Sequence, residues 1–334
     1  MKRVTLSHGS GGRLMHDLIK GLFIKELKNP FLSKLDDGAC LNIGREKILF
    51  TTDSYVVNPI FFAGGDIGSL SIYGTVNDLS VCGARPLFIS VGLIIEDGLE
   101  MKILERVTKS IKTATRLAKV NVVTGDMKVV EKGMCDKIFI NTSGVGRRLE
   151  NFNLSLDNVR TGDQIIISGS IGRHGVSILS SREGFEFDNK VKSDCAPLNG
   201  LLSRMGGLSG EIRFMRDPTR GGLATTLNEF VEGRRFGIVI DEGEIPVSGP
   251  VKSVCELLGF DPLYMANEGR VVIIVSKKAS KKALSLLKNH PQGKGARIIG
   301  EIVNGYKGKV CLKTETGGLR LLKMLASEQL PRIC

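Results

Sequence analysis

The chain has 334 residues, including 41 glycines and no tryptophan; 42% are hydrophobic, 25% charged and 5% aromatic. This balance excludes disorder, collagen-like repeats and an aromatic stacking platform, and the length suggests two domains. With 47 basic against 35 acidic residues the formal charge is +12, which favours polyanionic partners. The basic clusters at 102–119 and 277–282 nevertheless lack interleaved aromatics, and no zinc-finger or RNP-type motif appears, so nucleic acid is not an expected partner.

The longest apolar runs, 87–95 and 271–275, fall far short of the ~20 residues a membrane span requires. The start MKRVTLSHGSGG lacks the apolar stretch of a signal peptide. The expectation is a cytoplasmic protein with no membrane contact. Its seven cysteines form no Cys-x-x-Cys pair and no Cys/His cluster, so neither a zinc site nor a disulfide framework is expected. Six read as small core hydrophobes, while Cys334 stands apart as the last residue.

In chain order, 47–52 reads as a strand and 66–82 as a helix. A buried strand is expected at 87–95. The spacing of Ile103, Val107, Ile111, Ala114 and Ala118 predicts an amphipathic helix over 101–118. Strands at 120–124 and 137–143 complete the first set, and the aperiodic polar stretch 147–160 marks a domain boundary. In the second half, strands are expected at 164–168, 236–240, 271–275 and 296–302. Helices are expected after Gly172, from Asp217-Pro218, at 250–258 and at 279–288. Asp217 reads as an N-cap with proline at the first helical position. The class is therefore α/β or α+β, with domains at 1–150 and 151–325. Residues 326–334 carry no periodicity and read as a mobile tail.

Several aspartates lie among small residues: Asp36-Asp37-Gly38-Ala39, Thr51-Thr52-Asp53-Ser54, Asn77-Asp78-Leu79 and Thr124-Gly125-Asp126. Asp53 and Asp126 follow strands, where open sheets place ligand contacts. Asp78 falls on a small polar helix stripe with Ser71, Gly74 and Thr75, a face that lets something approach closely. Hard oxygen ligands at element ends suit Mg²⁺ shared with substrate phosphates, although each aspartate also reads as a turn residue or cap. His8-Gly9-Ser10-Gly11-Gly12 is a glycine loop able to wrap phosphates, but it lacks the Gly-Lys-Ser/Thr of a Walker A loop. No Gly-x-Ser-x-Gly elbow is present, so a serine-hydrolase reading fails, as does a glycosidase reading.

Taken together, the segments resemble the HypE family of hydrogenase expression/formation proteins. That family lies within the superfamily of aminoimidazole ribonucleotide synthetase, selenophosphate synthetase and thiamine-monophosphate kinase. The resemblance rests on Asp-Asp-Gly-Ala at 36–39, Thr-Thr-Asp-Ser at 51–54, Val-Asn-Asp-Leu at 76–79 and Thr-Gly-Asp at 124–126. It rests further on Gly125-Asp-Met-Lys-Val-Val130, Gly172-Arg-His-Gly175, Arg216-Asp-Pro-Thr-Arg-Gly-Gly222, Ala266-Asn-Glu-Gly269 and the ending Pro331-Arg-Ile-Cys334. Met127 departs from the threonine usual before this lysine.

The resemblance implies a two-domain PurM-like fold whose N-terminal domains pair across a homodimer. It implies Mg-ATP bound by Gly9, Ser10, Gly11, Gly12, Asp36, Asp37, Asp53, Asn77, Asp78 and Asp126, with Asp37, Asp53, Asp78 and Asp126 toward the metal. It also implies an ATP-dependent dehydratase, a lyase of nickel–iron hydrogenase maturation. A HypF-like carbamoyltransferase loads Cys334, dehydration gives a thiocyanate, and cyanide passes to iron on a HypC–HypD complex. Glu268 and Lys128 match the proton-transfer positions, and His174 takes an orienting role. The alternatives are another ATP-using member of the superfamily, or a nucleotide-gated scaffold without chemistry.

Overall fold

The computed structural model describes residues 3–9, 11–27, 29–150, 152–183, 191–325, 330 and 332–334. Helical turns at Arg13–Leu18, Ile19–Phe23 and Ile24–Glu26 precede a five-stranded sheet. Its strands are β1 (Ala39–Ile43), β2 (Glu46–Tyr55), β3 (Ala84–Glu96), β4 (Asn121–Val130) and β5 (Ile138–Arg148), in the order β1-β2-β5-β3-β4. Only β3 and β4 run parallel, joined by the crossover helix α2 (Met101–Ala118). Its bounds are those the apolar spacing predicts, and Val107, Ala114 and Ala118 are buried.

Helix α1 (Ile67–Val81) opens on a capping box in which Asp66 Oδ1 accepts from Ser69 N at 2.8 Å and Ser69 Oγ accepts from Asp66 N at 3.0 Å. Such a cap contributes about 0.5–2 kcal/mol. The helix is buried nearly all round because it is clasped between the sheet and the second half of the chain. Its small stripe admits the sheet itself. Thr142 Oγ1 donates to the Ser71 carbonyl at 3.1 Å, and a Cβ on Gly74 would lie 2.2 Å from the Tyr55 hydroxyl oxygen.

The second half is a seven-stranded sheet of β6 (Gln164–Ile167), β7 (Ile212–Arg216), β8 (Gly237–Asp241), β9 (Val272–Val275), β10 (Arg297–Val303), β11 (Val310–Lys313) and β12 (Leu319–Leu322). The order is β12-β11-β8-β10-β6-β9-β7, and only β8 and β11 pair in parallel. Alternate residues of one strand enter opposite cores. Ile165 and Ile167 pack with α4 (Gly222–Val231), whereas Ile166 packs beside α6 (Ser280–Lys288). Burial on both faces explains the unbroken apolar runs. Helices α3 (Arg173–Glu183) and α5 (Gly249–Leu258) lie outside these layers. The sheets are mostly antiparallel, so the α+β member of the expected pair is the one observed.

One expected boundary is corrected. The helix after Asp217-Pro218 starts only at Gly222, with Gly221 at φ 75° as its N-cap, so Asp217 caps nothing there. Gly222 has φ 62°, and a Cβ on it would lie 2.7 Å from the Leu263 and Met265 carbonyl oxygens. Close backbone packing therefore delays the helix and leaves the Asp217 carboxyl to the interior. The two halves also share a core, since Ile178 and Ala266 cluster with Ile67, Ile72 and Val76 of α1. A shared apolar interface of this kind holds the halves in one arrangement.

Candidate active site

Where the two halves meet, β2 and α1 from the first and the loops around Asp217 and Glu268 from the second enclose a cavity of about 200 Å³. Asp37, Asp53, Asp78, Asp217 and Glu268 line it together with Thr51, Tyr55, Arg220 and Cys334. Whole drug-sized ligands occupy pockets of about 300–1,000 Å³. This cavity is therefore sized for reacting groups and leaves the bulk of a nucleotide outside.

Its charge is predominantly acidic. Burial pushes the Asp78 carboxyl well up, reinforced by Asp217, Asp37 and Asp53, while a hydrogen bond from Thr51 at 3.0 Å opposes the shift. Burial, with Asp37 close by, raises Asp217 to about 8. Glu268 is also pushed well up by burial and by Asp217, Asp194 and Asp53. Its Oε1 atom is buried and has no hydrogen-bond partner among the described residues. Two arginines balance part of this charge. Arg216 bridges Asp37 at 3.0 Å and Glu229 at 2.8 Å, while Arg220 is held charged by Cys334 first and then by Asp53 and Glu268. A cluster of carboxylates that raise one another's proton affinity gains from a cation.

The residues expected in the site do not all come together. Asp37, Asp53, Asp78, Glu268 and Cys334 share the cavity. Gly9 and Gly11 lie beside it: Arg220 Nη1 donates to the Gly9 carbonyl at 3.3 Å, and Gly11, at φ 77°, packs on the Arg220 side chain. Gly12 caps the first helical turn, and Ser10 lies outside the described residues. Asp36 lines a separate small cavity with Cys40, Cys82 and Arg148.

Asn77 is buried away from the cavity and ties the halves together, accepting from Leu198 N at 2.7 Å and donating to the Glu268 carbonyl at 3.3 Å. Asp126 and Lys128 pair with each other at 2.8 Å on β4, whose side chains are exposed through almost its whole length, and neither lines this cavity. Seven lining residues were not among the expected site residues: Thr51, Thr52, Tyr55, Gly74, Asp217, Thr219 and Arg220. The Arg216-to-Gly222 motif was the signal for the last three.

Cys334 reaches the cavity because its segment lies along the chain that leaves β2 and is held there by backbone hydrogen bonds. Val56 N donates to the Cys334 carbonyl at 3.0 Å and Asn58 N to the Arg332 carbonyl at 3.2 Å. Arg332 pairs with Asp136 at 2.7 Å, and Arg182 donates to the Arg332 carbonyl. His174, wholly buried, meets the Ile333 carbonyl through Nε2 at 2.7 Å. Residues 326–329 and 331 lie outside the described residues.

Two α+β halves around a carboxylate-lined cavity define an enzyme of the AIR synthase related class. The family model for the N-terminal domain of AIR synthase related proteins matches residues 35–148, and that for their C-terminal domain matches 160–313. The chain is 46% identical over 333 residues to carbamoyl dehydratase HypE of Rhizobium leguminosarum bv. viciae, covering 99% of this chain and 95% of that protein. A solved HypE–HypF complex contains a chain 44% identical to this one, with a TM-score of 0.88 and coverage of 92% and 99%. A HypE crystal structure with ATP is 47% identical, with a TM-score of 0.83 and coverage of 99% and 100%. The chain belongs to the HypE family. The resemblance read from the motifs is borne out.

Among the described residues no helix is long and apolar enough to cross a membrane, and no group of three or more His, Cys, Asp or Glu side chains is arranged to hold a metal ion.

Proposed function

We propose that the chain is an ATP-dependent carbamoyl dehydratase of hydrogenase maturation that works on a carbamoyl group carried by the Cys334 sulfur. The observation that carries this reading is the seat of Cys334 in the same cavity as Glu268, Arg220 and four aspartates. Cys334 packs on one side with the apolar cluster that includes Ile67 and Val76, and on the other lines a cavity of charged groups.

The chemistry matches the residues. In the carbamoyl thioester the amide oxygen is a poor leaving group. Its attack on the terminal phosphorus of ATP forms a P–O bond as the bond to the ADP oxygen breaks. The C–O bond then breaks with phosphate departing, the nitrogen gives up both protons, and a thiocyanate remains. Arg220 disperses negative charge near the transferring phosphoryl group. Glu268 takes a nitrogen proton: its unpartnered Oε1 is the acceptor, and its raised proton affinity suits that task.

Asp37, Asp53 and Asp78 would hold Mg²⁺. They line one cavity without converging into a ready cage, the behaviour expected of an ion bound through a few carboxylates plus substrate phosphates. When bound, the ion neutralises charge on the phosphate oxygens. Gly9, Ser10, Gly11 and Gly12 would lie along the phosphates, where Arg220 already holds the Gly9 carbonyl.

Asp126 and Lys128 enter this reading through a second copy. On β4, Val122, Val123, Met127 and Val129 are exposed, while Phe50 and Phe88 are exposed on the opposite face of the sheet, the face that carries Asp126 and Lys128. Pairing of two copies along the exposed β4 would form the homodimer and bring this Asp126 and Lys128 toward the partner's nucleotide. A HypF-like carbamoyltransferase would load the sulfur, and a HypC–HypD complex would receive the cyanide.

Mass spectrometry of the peptide ending in Cys334, after incubation with carbamoyl phosphate, ATP and a HypF-type transferase, tests the reading. A carbamoyl adduct is expected that loses one water only with ATP. An adduct that never loses water in protein competent to bind ATP would instead support a scaffold without chemistry. Glu268→Gln should accept the adduct and bind ATP, yet lose water at least ~10²-fold more slowly.

A further inference from the structure

The residues that seat Cys334 and those that present Glu268 meet in two consecutive side chains, Ser193 and Asp194. Ser193 reaches one way. Because the Ile333 carbonyl can only accept, His174 Nε2 carries the proton, and Nδ1 of the neutral ring must accept. Ser193 Oγ lies 2.8 Å from that Nδ1 and supplies its hydrogen, while Cys195 N donates to the same oxygen at 3.0 Å. The orientation of every proton in this relay follows from the carbonyl at its end.

Asp194 reaches the other way. Its carboxylate accepts from Glu268 N at 3.2 Å and Gly269 N at 3.3 Å, and it lies 3.6 Å from Arg270 Nε with its side chain fully buried. A Cβ on Gly269 would fall 1.9 Å from the Asp194 carbonyl oxygen, so the two segments are in close backbone contact. The crosspiece is itself anchored, because Ser193 N donates to the Ala63 carbonyl at 2.7 Å. Gly64, at φ 93°, lies against Ser193, where a Cβ would approach its backbone to 2.8 Å.

We propose that Ser193 and Asp194 are positioning residues for dehydration: one fixes the sulfur-bearing segment through His174 and the other fixes the Glu268 loop, so that the two reacting groups are set against each other by a single rigid dipeptide. The proposal rests on the reading of Cys334 as carrier and Glu268 as proton acceptor. Neither side chain touches the reacting atoms. Their effect is on geometry, where a misplacement of about 1 Å costs on the order of 10²-fold in rate.

Two measurements on the full chain test it. Alkylation of Cys334 by iodoacetamide without nucleotide reports the seat and needs no dehydration chemistry. Single turnover of protein already carbamoylated, at varied Mg-ATP, separates the maximal rate from the apparent KM. Ser193→Ala should alkylate at least fivefold faster and dehydrate about tenfold more slowly with KM for ATP unchanged. Asp194→Asn should alkylate within twofold of wild type and dehydrate at least tenfold more slowly, again with KM unchanged.

Wild-type alkylation and turnover in Ser193→Ala would overturn the proposal, as would a rise in KM alone in either variant. Normal water loss in Glu268→Gln would instead remove the proton-acceptor reading. The alkylation arm would still decide whether Ser193 seats the sulfur.

Discussion

The Asn77 side chain of α1 holds the backbone of Glu268 across the interface of the two halves, donating to its carbonyl at 3.3 Å while accepting from Leu198 N at 2.7 Å. A residue that reads in the sequence as a nucleotide contact thus also braces the loop of the proposed proton acceptor. Asn77→Ala would leave a buried N–H without its acceptor, which costs about 1–3 kcal/mol. Thermal or urea denaturation should show that loss, and the water-loss step should slow while carbamoylation persists.

The Asp136 carboxyl is held below its ordinary range first by the hydrogen bond from Arg332. The pair is partly exposed, so it contributes little to global stability, roughly 0–1 kcal/mol. Its effect is local. Asp136→Asn should leave the unfolding midpoint almost unchanged while increasing the alkylation rate of Cys334 several-fold; equal rates would show that the ion pair does not hold the segment.

Burial keeps His174 below its ordinary 6.5; the bond to Ile333 and the Asp194 charge oppose the shift, and Arg182 reinforces it. A group with a depressed folded pKa contributes fully above its unfolded pKa and loses that contribution as pH falls through the folded one. Unfolding free energy should therefore fall on the acid side of pH ~6.5, together with protection of Cys334. In His174→Gln, measured at the same pH values, that acid-side slope should flatten.

Asp78→Asn removes one of the carboxylates placed toward Mg²⁺ and relieves repulsion among the rest. The apo protein should become no less stable, whereas Mg-ATP affinity, read by equilibrium dialysis or calorimetry, should fall at least tenfold. Unchanged affinity would place the ion elsewhere.

Met127→Glu inserts a charge among the exposed apolar side chains of β4. Sedimentation should show the wild type as a dimer and the variant shifted toward monomer, with the fold intact by circular dichroism. A variant that still dimerises would direct attention to another face.

Some of this was legible in the residues. The steps of three and four from Ile103 to Ala118 give α2 its bounds, because one face must meet α1. The helix expected over 66–82 is α1 with its two caps, Asp66 and Cys82. Strand direction was not legible. Runs such as 164–168 are buried on both faces whether their neighbours are parallel or antiparallel, so the pattern does not distinguish them. The strands β1, β7, β11 and β12 escape the sequence reading, and Asp217 reads as a cap because Asp-Pro begins so many helices.

Local periodicity and short motifs, which depend on neighbours a few residues apart, were enough by themselves to define most of the elements, the family and the cluster of aspartates. The placement of Cys334 belonged to the tertiary structure alone. The partners of Cys334 and of Ile333 beside it, Val56, Arg220 and His174, are distant in sequence, and an aperiodic segment carries no signal of what it will touch. Contacts over such separations exist only once both sheets have formed and closed on α1.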